Sequence, residues 1–176
     1  QIGNKKSPSL RLDFGLKNAR IKHPQYATSL EETSLEGTIH IAALHNLNTT
    51  TVSLKNVSGK LQGKTFRSDL EIRNINDPDI TFAFTGEVDA ASLFSFYPIK
   101  SVSRLSGTII ADISFEGKTA WLKSKSTAQQ ASALGSIDLK NLNFAFGTDS
   151  IQINGLSGSL QFNKHALSLS YIEGKL

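Results

Sequence analysis

Four histidines, His23, His40, His45 and His165, are the side chains best suited to metal binding or proton transfer. His40 and His45 stand five apart, which on one strand puts them on opposite faces and prevents them from sharing an ion. No His-x-Glu or His-Glu-x-x-His spacing occurs, so the imidazoles read as surface groups. Asp77-Pro78-Asp79 places two carboxylates around a proline, as a calcium loop or an acid–base pair would. No third or fourth oxygen ligand follows at loop spacing, and the segment reads as a strand-entry turn with Asp oxygens accepting from nearby N–H groups. Serines abound without a Gly-x-Ser-x-Gly elbow, and there is neither a P-loop nor a Gly-x-Gly-x-x-Gly. The absence of Cys removes thiol catalysis, zinc–thiolate sites and iron–sulfur clusters together. No catalytic residue, metal or cofactor is therefore expected, and the chain reads as non-enzymatic.

The chemistry then lies in how the elements present their surfaces. The 176 residues fit one domain, and 19 Lys and Arg against 15 Asp and Glu give a net charge of +4. The charges alternate in sign, with no basic block to neutralise a run of phosphates, so nucleic acid is not an expected partner. Serine and threonine supply 22 and 13 residues, a mixture that favours strands and turns over helices. No stretch approaches the roughly 18 to 20 apolar residues that cross a bilayer as a helix. Gln1 to Ser9 lack the apolar centre of a signal peptide. The pattern stops in mid-strand at Ile172–Leu176, which reads as a piece of something longer.

Period-two alternation dominates. Leu10, Leu12, Phe14 and Leu16 alternate with Arg11, Asp13, Gly15 and Lys17, and Ile80, Phe82 and Phe84 with Asp79, Thr81, Ala83 and Thr85. The pattern recurs at 39–41, 52–54, 70–72, 109–115, 137–139, 142–146, 151–153, 160–162 and 167–171. Each segment has one apolar and one wet face, as antiparallel strands do. About ten strands follow, in an all-β chain. One short helix is expected near 89–96, capped by Asp89, ended by Pro98 and packing Leu93 and Phe94 against the sheet. Thr127 to Leu134, where alternation lapses, reads as a loop with at most a short turn.

Two echoes point to repetition. A Gly flanked two places away by aliphatics recurs at Gly37, Gly59, Gly107, Gly158 and Gly174. On one strand face such a Gly marks a bend, a bulge or a close approach. Gly37-Thr38-Ile39 is echoed 98 residues on at Gly135-Ser136-Ile137, and Val57-Ser58-Gly59 is echoed 99 residues on at Leu156-Ser157-Gly158. The chain is read as a single stretch, 1–176, of a repeating β region, with units at 35–133 and 134–176, growing along its axis rather than closing as a sandwich. Phe82, Phe84, Ile109, Ile113, Phe115, Phe144, Phe146, Leu160 and Phe162 sit in apolar phase. They are either a sandwich core or the lining of a surface that holds a lipid chain; pattern alone fits both.

Leu12-Asp13-Phe14-Gly15-Leu16-Lys17-Asn18-Ala19-Arg20-Ile21-Lys22-His23-Pro24 resembles the phrase that precedes a repeat unit in the AsmA-like envelope proteins of Gram-negative bacteria, in their Bacteroides-like variety. Asn56-Val57-Ser58-Gly59-Lys60-Leu61, Phe66–Ile72, Asn76-Asp77-Pro78-Asp79-Ile80 and Gly86-Glu87-Val88-Asp89 are similar to that family's recurrent pattern. Leu105 onward resembles its next strand pair, and Asn154 to Leu176 the start of another copy. The resemblance implies a long curved, mostly antiparallel sheet forming an open groove, as in TamB-type proteins. It implies a periplasmic module, anchored to a membrane by a segment outside this chain, that serves phospholipid transfer or outer-membrane assembly. Phospholipid, envelope proteins or an edge-strand dimer are the partners to expect. The competing reading is a secreted β-sandwich that binds carbohydrate or protein. Trp121 is the only tryptophan, and Tyr26, Tyr97 and Tyr171 are scattered, which leaves that reading short of the aromatic platform it needs.

Overall fold

The computed structural model describes residues 7–22, 28–96, 101–147, 151–164 and 166–175. Nine strands form one antiparallel sheet in sequence order: β1 (Leu10–Lys22), β2 (Ser29–Ile41), β3 (Thr50–Leu61), β4 (Lys64–Arg73), β5 (Asp79–Asp89), β6 (Val102–Lys118), β7 (Ser132–Phe146), β8 (Ile151–Lys164) and β9 (Ala166–Lys175). Among the described residues β1 pairs only with β2 and β9 only with β8, so the sheet is open and has two free edges. The all-β antiparallel architecture expected from the alternation is the one observed, and the sheet is open, as the resemblance implied. The two-sheet sandwich is not, because no second sheet is present among the described residues.

Nine strands replace the expected ten or so for a physical reason. Segments 137–139 and 142–146 both belong to β7, and 151–153 and 160–162 both belong to β8. In each strand a residue with a left-handed backbone, Asn141 (φ 48°) or Gly155 (φ 65°), sits at a register shift. One inserted residue advances the count by one, so the apolar positions change parity while staying on the same face. Read as strict alternation, one bulged strand looks like two.

Helix α1 (Ala90–Phe96) follows β5 and lies against β6. The Ser92 amide donates to Asp89 Oδ1 at 2.8 Å, the cap expected from the sequence. Its buried residues are Ala90 and Ser92 rather than Leu93, which is 39% exposed, or Phe94, which is half-buried. Small side chains on the inner side let the short helix lie close to the strand, and Leu93 is left toward solvent. Tyr97 and Pro98, expected to end it, lie outside the described residues, as do His23 and His165. The 127–134 segment divides: α2 (Lys125–Ala128) supplies one helical turn, and β7 is already under way at Ser132.

Fully buried apolar side chains are few among the described residues: Leu61, Val88, Ala90, Ala111, Ala131, Leu142 and Ala145. The accessible surface is 11921 Å². A compact monomer of 19.1 kDa exposes about 8400 Å². The excess is what a sheet of a single layer must show.

Gly37 illustrates how the edge is held. It stands opposite Phe14, and a Cβ there would lie 2.2 Å from Phe14 Cζ, so the ring rests directly on the bare backbone. A side chain at this place forces the ring off. Gly37→Val is expected to cost about 1 kcal/mol, the low end for an overpacked site, because the edge ring can swing into solvent. Combined with Phe14→Ala it should add little more, and urea melts of the two single variants and the double one measure this. Fully additive losses would show that the ring does not depend on Gly37.

Candidate functional site

The nine apolar-phase residues singled out from the sequence share one face of the sheet. Phe82 pairs with Phe115, Phe84 with Ile113, Val88 with Ile109 and Leu105 with Phe144. Ile113 stands opposite Gly135, which stands opposite Phe162, and Ile137 opposite Leu160. Phe144 and Phe146 meet edge to face with ring centroids 5.2 Å apart, which places Phe146 on the same side. Phe66 joins them, stacked on Phe84 at 6.1 Å, and the sequence reading had not named it. Phe82 stacks on Phe84 at 6.3 Å.

The face extends beyond these nine. One row runs from Phe14 through Gly37, Leu54, Leu70, Phe82 and Phe115 to Ala133, crossing seven strands. Aromatics at the centre are half-buried by one another, whereas the flanks are open: Leu12 is 52% exposed, Leu167 61% and Leu169 53%. Eight strand spacings of about 4.8 Å make the face roughly 38 Å wide. Contiguous apolar patches of this extent are uncommon on monomers that work alone.

What keeps the face continuous is a set of left-handed bulges. Asn18, Asn56 and Asn141 each follow Leu-Lys and precede an apolar residue, as Leu16-Lys17-Asn18-Ala19, Leu54-Lys55-Asn56-Val57 and Leu139-Lys140-Asn141-Leu142. Their φ angles are 50°, 53° and 48°, and each marks a register shift. The amide of a bulged residue loses its ladder partner, and here a side chain of the next strand takes its place. Asn18 N–H donates to Ser34 Oγ at 3.0 Å, Asn56 N–H to Asp69 Oδ1 at 2.8 Å and Asn141 N–H to Ser157 Oγ at 3.1 Å. Gly155 N–H donates likewise to Asn143 Oδ1 at 2.9 Å. Asn tolerates the left-handed region better than most residues, which explains the choice. The triple Leu-Lys-Asn is visible in the sequence and is the signal that would have revealed the bulges.

The opposite face is polar and self-neutralising. Lys60 pairs with Glu32 at 2.7 Å, and Arg20 with Glu31 at 3.4 Å. Arg11 pairs with Asp13 at 2.9 Å, and Lys64, which stands opposite Leu61 in the apolar rows at the start of β4, reaches Glu87. Shallow recesses of about 470 and 480 Å³ lie beside Ser58, Lys60 and Arg67 and beside Lys17, Ser34 and Glu36. The hydrogen bond from the Arg11 guanidinium, and then that from the Thr38 hydroxyl, holds the Asp13 carboxyl below the ordinary carboxylate range. The hydrogen bond from Lys118 to Asp77, together with their charge attraction, raises the Lys118 ammonium above its usual value.

For Asp13 the sign is fixed by the lowered value: the contact stabilises the fold above the ordinary carboxyl range and is lost as pH falls through the lowered pKa. Arg11→Ala is expected to move the Asp13 titration up toward the ordinary range, followed by NMR of the carboxyl carbon. An unmoved midpoint would remove Arg11 as the cause.

No cluster of His, Asp and Glu able to hold a metal ion occurs among the described residues. No helix among them is long and apolar enough to cross a membrane. Compared with known proteins, the chain matches no family model, no curated protein and no solved structure.

Proposed function

We propose that this chain is a non-enzymatic module that offers one uncovered apolar sheet face to the acyl chains of phospholipid. The observation that carries the reading is the apolar face itself, one row of which crosses seven strands, with no second sheet over it among the described residues. An acyl chain gains about 0.8 kcal/mol per CH₂ fully removed from water. An open face removes only one side of the chain from water, so contact is weaker per carbon and spread along the surface. That suits passage of a lipid better than storage. Half the roughly 30 Å hydrocarbon core of a bilayer is the length of one leaflet's chains, and the 38 Å width of the face exceeds it.

The resemblance to AsmA-like envelope proteins supports the same reading and adds its setting: a periplasmic stretch of a membrane-anchored protein that moves phospholipid or aids outer-membrane assembly. The free edges of β1 and β9 suit pairing with a further strand, from the same protein, from an envelope partner or from a second copy. The purified chain should take up a fluorescent phospholipid in molar proportion. A folded chain that leaves the probe in its donor vesicles ends this proposal.

A further inference from the structure

We propose that the end of the sheet formed by the β2–β3, β4–β5 and β6–β7 connections seats in the interfacial layer of a lipid bilayer. Antiparallel order brings these three connections to the same end of the sheet, two strands and about 10 Å apart. Each carries a large aliphatic side chain in solvent. Leu44 and Leu47 lie in the first, 41% and 50% exposed, Ile75 in the second at 48% and Leu122 in the third at 57%. At the other end of the sheet, the described β3–β4 turn is Gln62-Gly63, and the exposed large apolar residues there, Ile21, Leu93, Phe146 and Ile151, lie on strands or on helix α1 rather than in loops.

The three connections are tied into one rim. Asn76 donates to Asn48 Oδ1 at 2.8 Å, joining the first to the second. The Thr119 amide donates to the Pro78 carbonyl at 3.0 Å and Lys118 donates to Asp77 at 2.6 Å, joining the second to the third. A rim held in this way presents its aliphatic tips together rather than as independent loops.

The geometry favours a bilayer over a protein partner. Side chains strung singly along a line form no contiguous patch, and an interface with a protein needs a packed core of anchors. A fluid interface accepts separate tips without shape complementarity. Exposed Lys123, beside Leu122, adds a charge that suits anionic headgroups. The rim also meets the apolar face. Trp121 Cε3 lies 3.3 Å from where a Cβ of Gly117 would stand, and Gly117 is the partner of Ile80 in the apolar rows. Seated there, the rim places the apolar face beside the membrane from which lipid would come; this purpose, though not the seating itself, rests on the function proposed above.

Trp121 is the only tryptophan in the chain, so its emission reports on the rim and on the end of the apolar face that the rim meets. With vesicles of phosphatidylcholine and phosphatidylglycerol carrying brominated acyl chains, its fluorescence should be quenched. The variant Leu44→Gln, Leu47→Gln, Ile75→Gln, Leu122→Gln should lose about tenfold or more in vesicle affinity. All four side chains are exposed, and Leu122→Gln alone should give a smaller loss if the fourfold variant folds poorly. Quenching should persist in Phe82→Asp, which separates rim from face. Unquenched Trp121, or a folded fourfold variant that binds vesicles as the parent does, overturns the proposal. So does a rim-dependent dimer in light scattering without quenching, which would assign the tips to a second copy. Uptake of a fluorescent lysophospholipid from solution needs no membrane and should survive the fourfold change. Its failure in the parent chain would end the lipid-face reading and leave the rim result standing.

Discussion

A chain carrying Phe82→Asp and Phe84→Asp is expected to retain less than roughly a tenth of the parent's phospholipid uptake. The two rings sit near the middle of the apolar face, stacked on each other at 6.3 Å, and Phe84 is stacked on Phe66 at 6.1 Å. An aspartate costs about 2.5 to 3.5 kcal/mol at the centre of an inserted helix, and each 1.4 kcal/mol is tenfold in affinity. Exposure on an open sheet reduces that figure, yet two adjacent carboxylates leave a tenfold loss as a conservative expectation. The same substitutions remove aromatic pairs worth about 0.5 to 1.5 kcal/mol each, so stability falls as well. Ser106→Asp with Ser114→Asp adds the same charge to exposed positions on the polar face of β6 and should leave uptake intact. Equal uptake by the parent and a folded Phe82/Phe84 variant would remove these rings from the lining.

Deleting Asn56 should disorder β3 and its pairing with β2 and β4. Beyond this residue Val57, Gly59 and Leu61 hold the apolar face, whereas before it Val52 and Leu54 do. Without the inserted residue the second half of β3 turns over, sending Val57 and the buried Leu61 to the polar side. At about 1.5 to 3 kcal/mol for the buried Leu61 and less for the half-buried Val57, the loss is roughly 2 to 4 kcal/mol. That is a large share of the stability of an ordinary domain. The alternative open to the chain is to slip the pairing of β3 against β2 and β4, which breaks the same contacts on both sides. Asn56→Gly, by contrast, keeps the bulge and relieves a left-handed non-glycine residue, so its midpoint in urea should equal or exceed the parent's. Asn56→Val places a β-branched residue at positive φ and should lose about 1 to 2 kcal/mol. A deletion variant that melts like the parent would mean that the bulge does not set the face.

These expectations mark how far the sequence could be read. Alternation at Leu10–Leu16 and Ile80–Phe84 was sufficient for strand identity, for the single apolar face and for the antiparallel class, but it fitted a closed sandwich as well as an open sheet. It failed at Asn141 and Gly155, because a period-two count has no way to pass a residue that adds one to the register without changing face. The helix was legible from Asp89, but its inner side was not: hydrophobicity pointed to Leu93, while closeness of approach selected Ala90 and Ser92. The rim escaped notice for a related reason. Leu44, Leu47, Ile75 and Leu122 fall in connections outside the alternating pattern, and only the strand order brings them to one end.

The 98- and 99-residue echoes also take on a definite meaning. Gly37 and Gly135 lie on β2 and β7, and Gly59 and Gly158 on β3 and β8, five strands apart in both cases. Their registers differ, since Gly37 faces Leu54 whereas Gly135 faces Phe162. The likeness is one of strand phrases, placed at different registers of the ladder.

Because spatial order follows chain order from β1 to β9, each strand gathers its partners from its immediate precursor and successor. Assembly can then begin at any hairpin and spread outward like a zip, with no distant segment to wait for. Loss should proceed the same way, fraying inward from whichever terminal strand is least well tied, so that shortened chains remain ordered in proportion to the hairpins they keep.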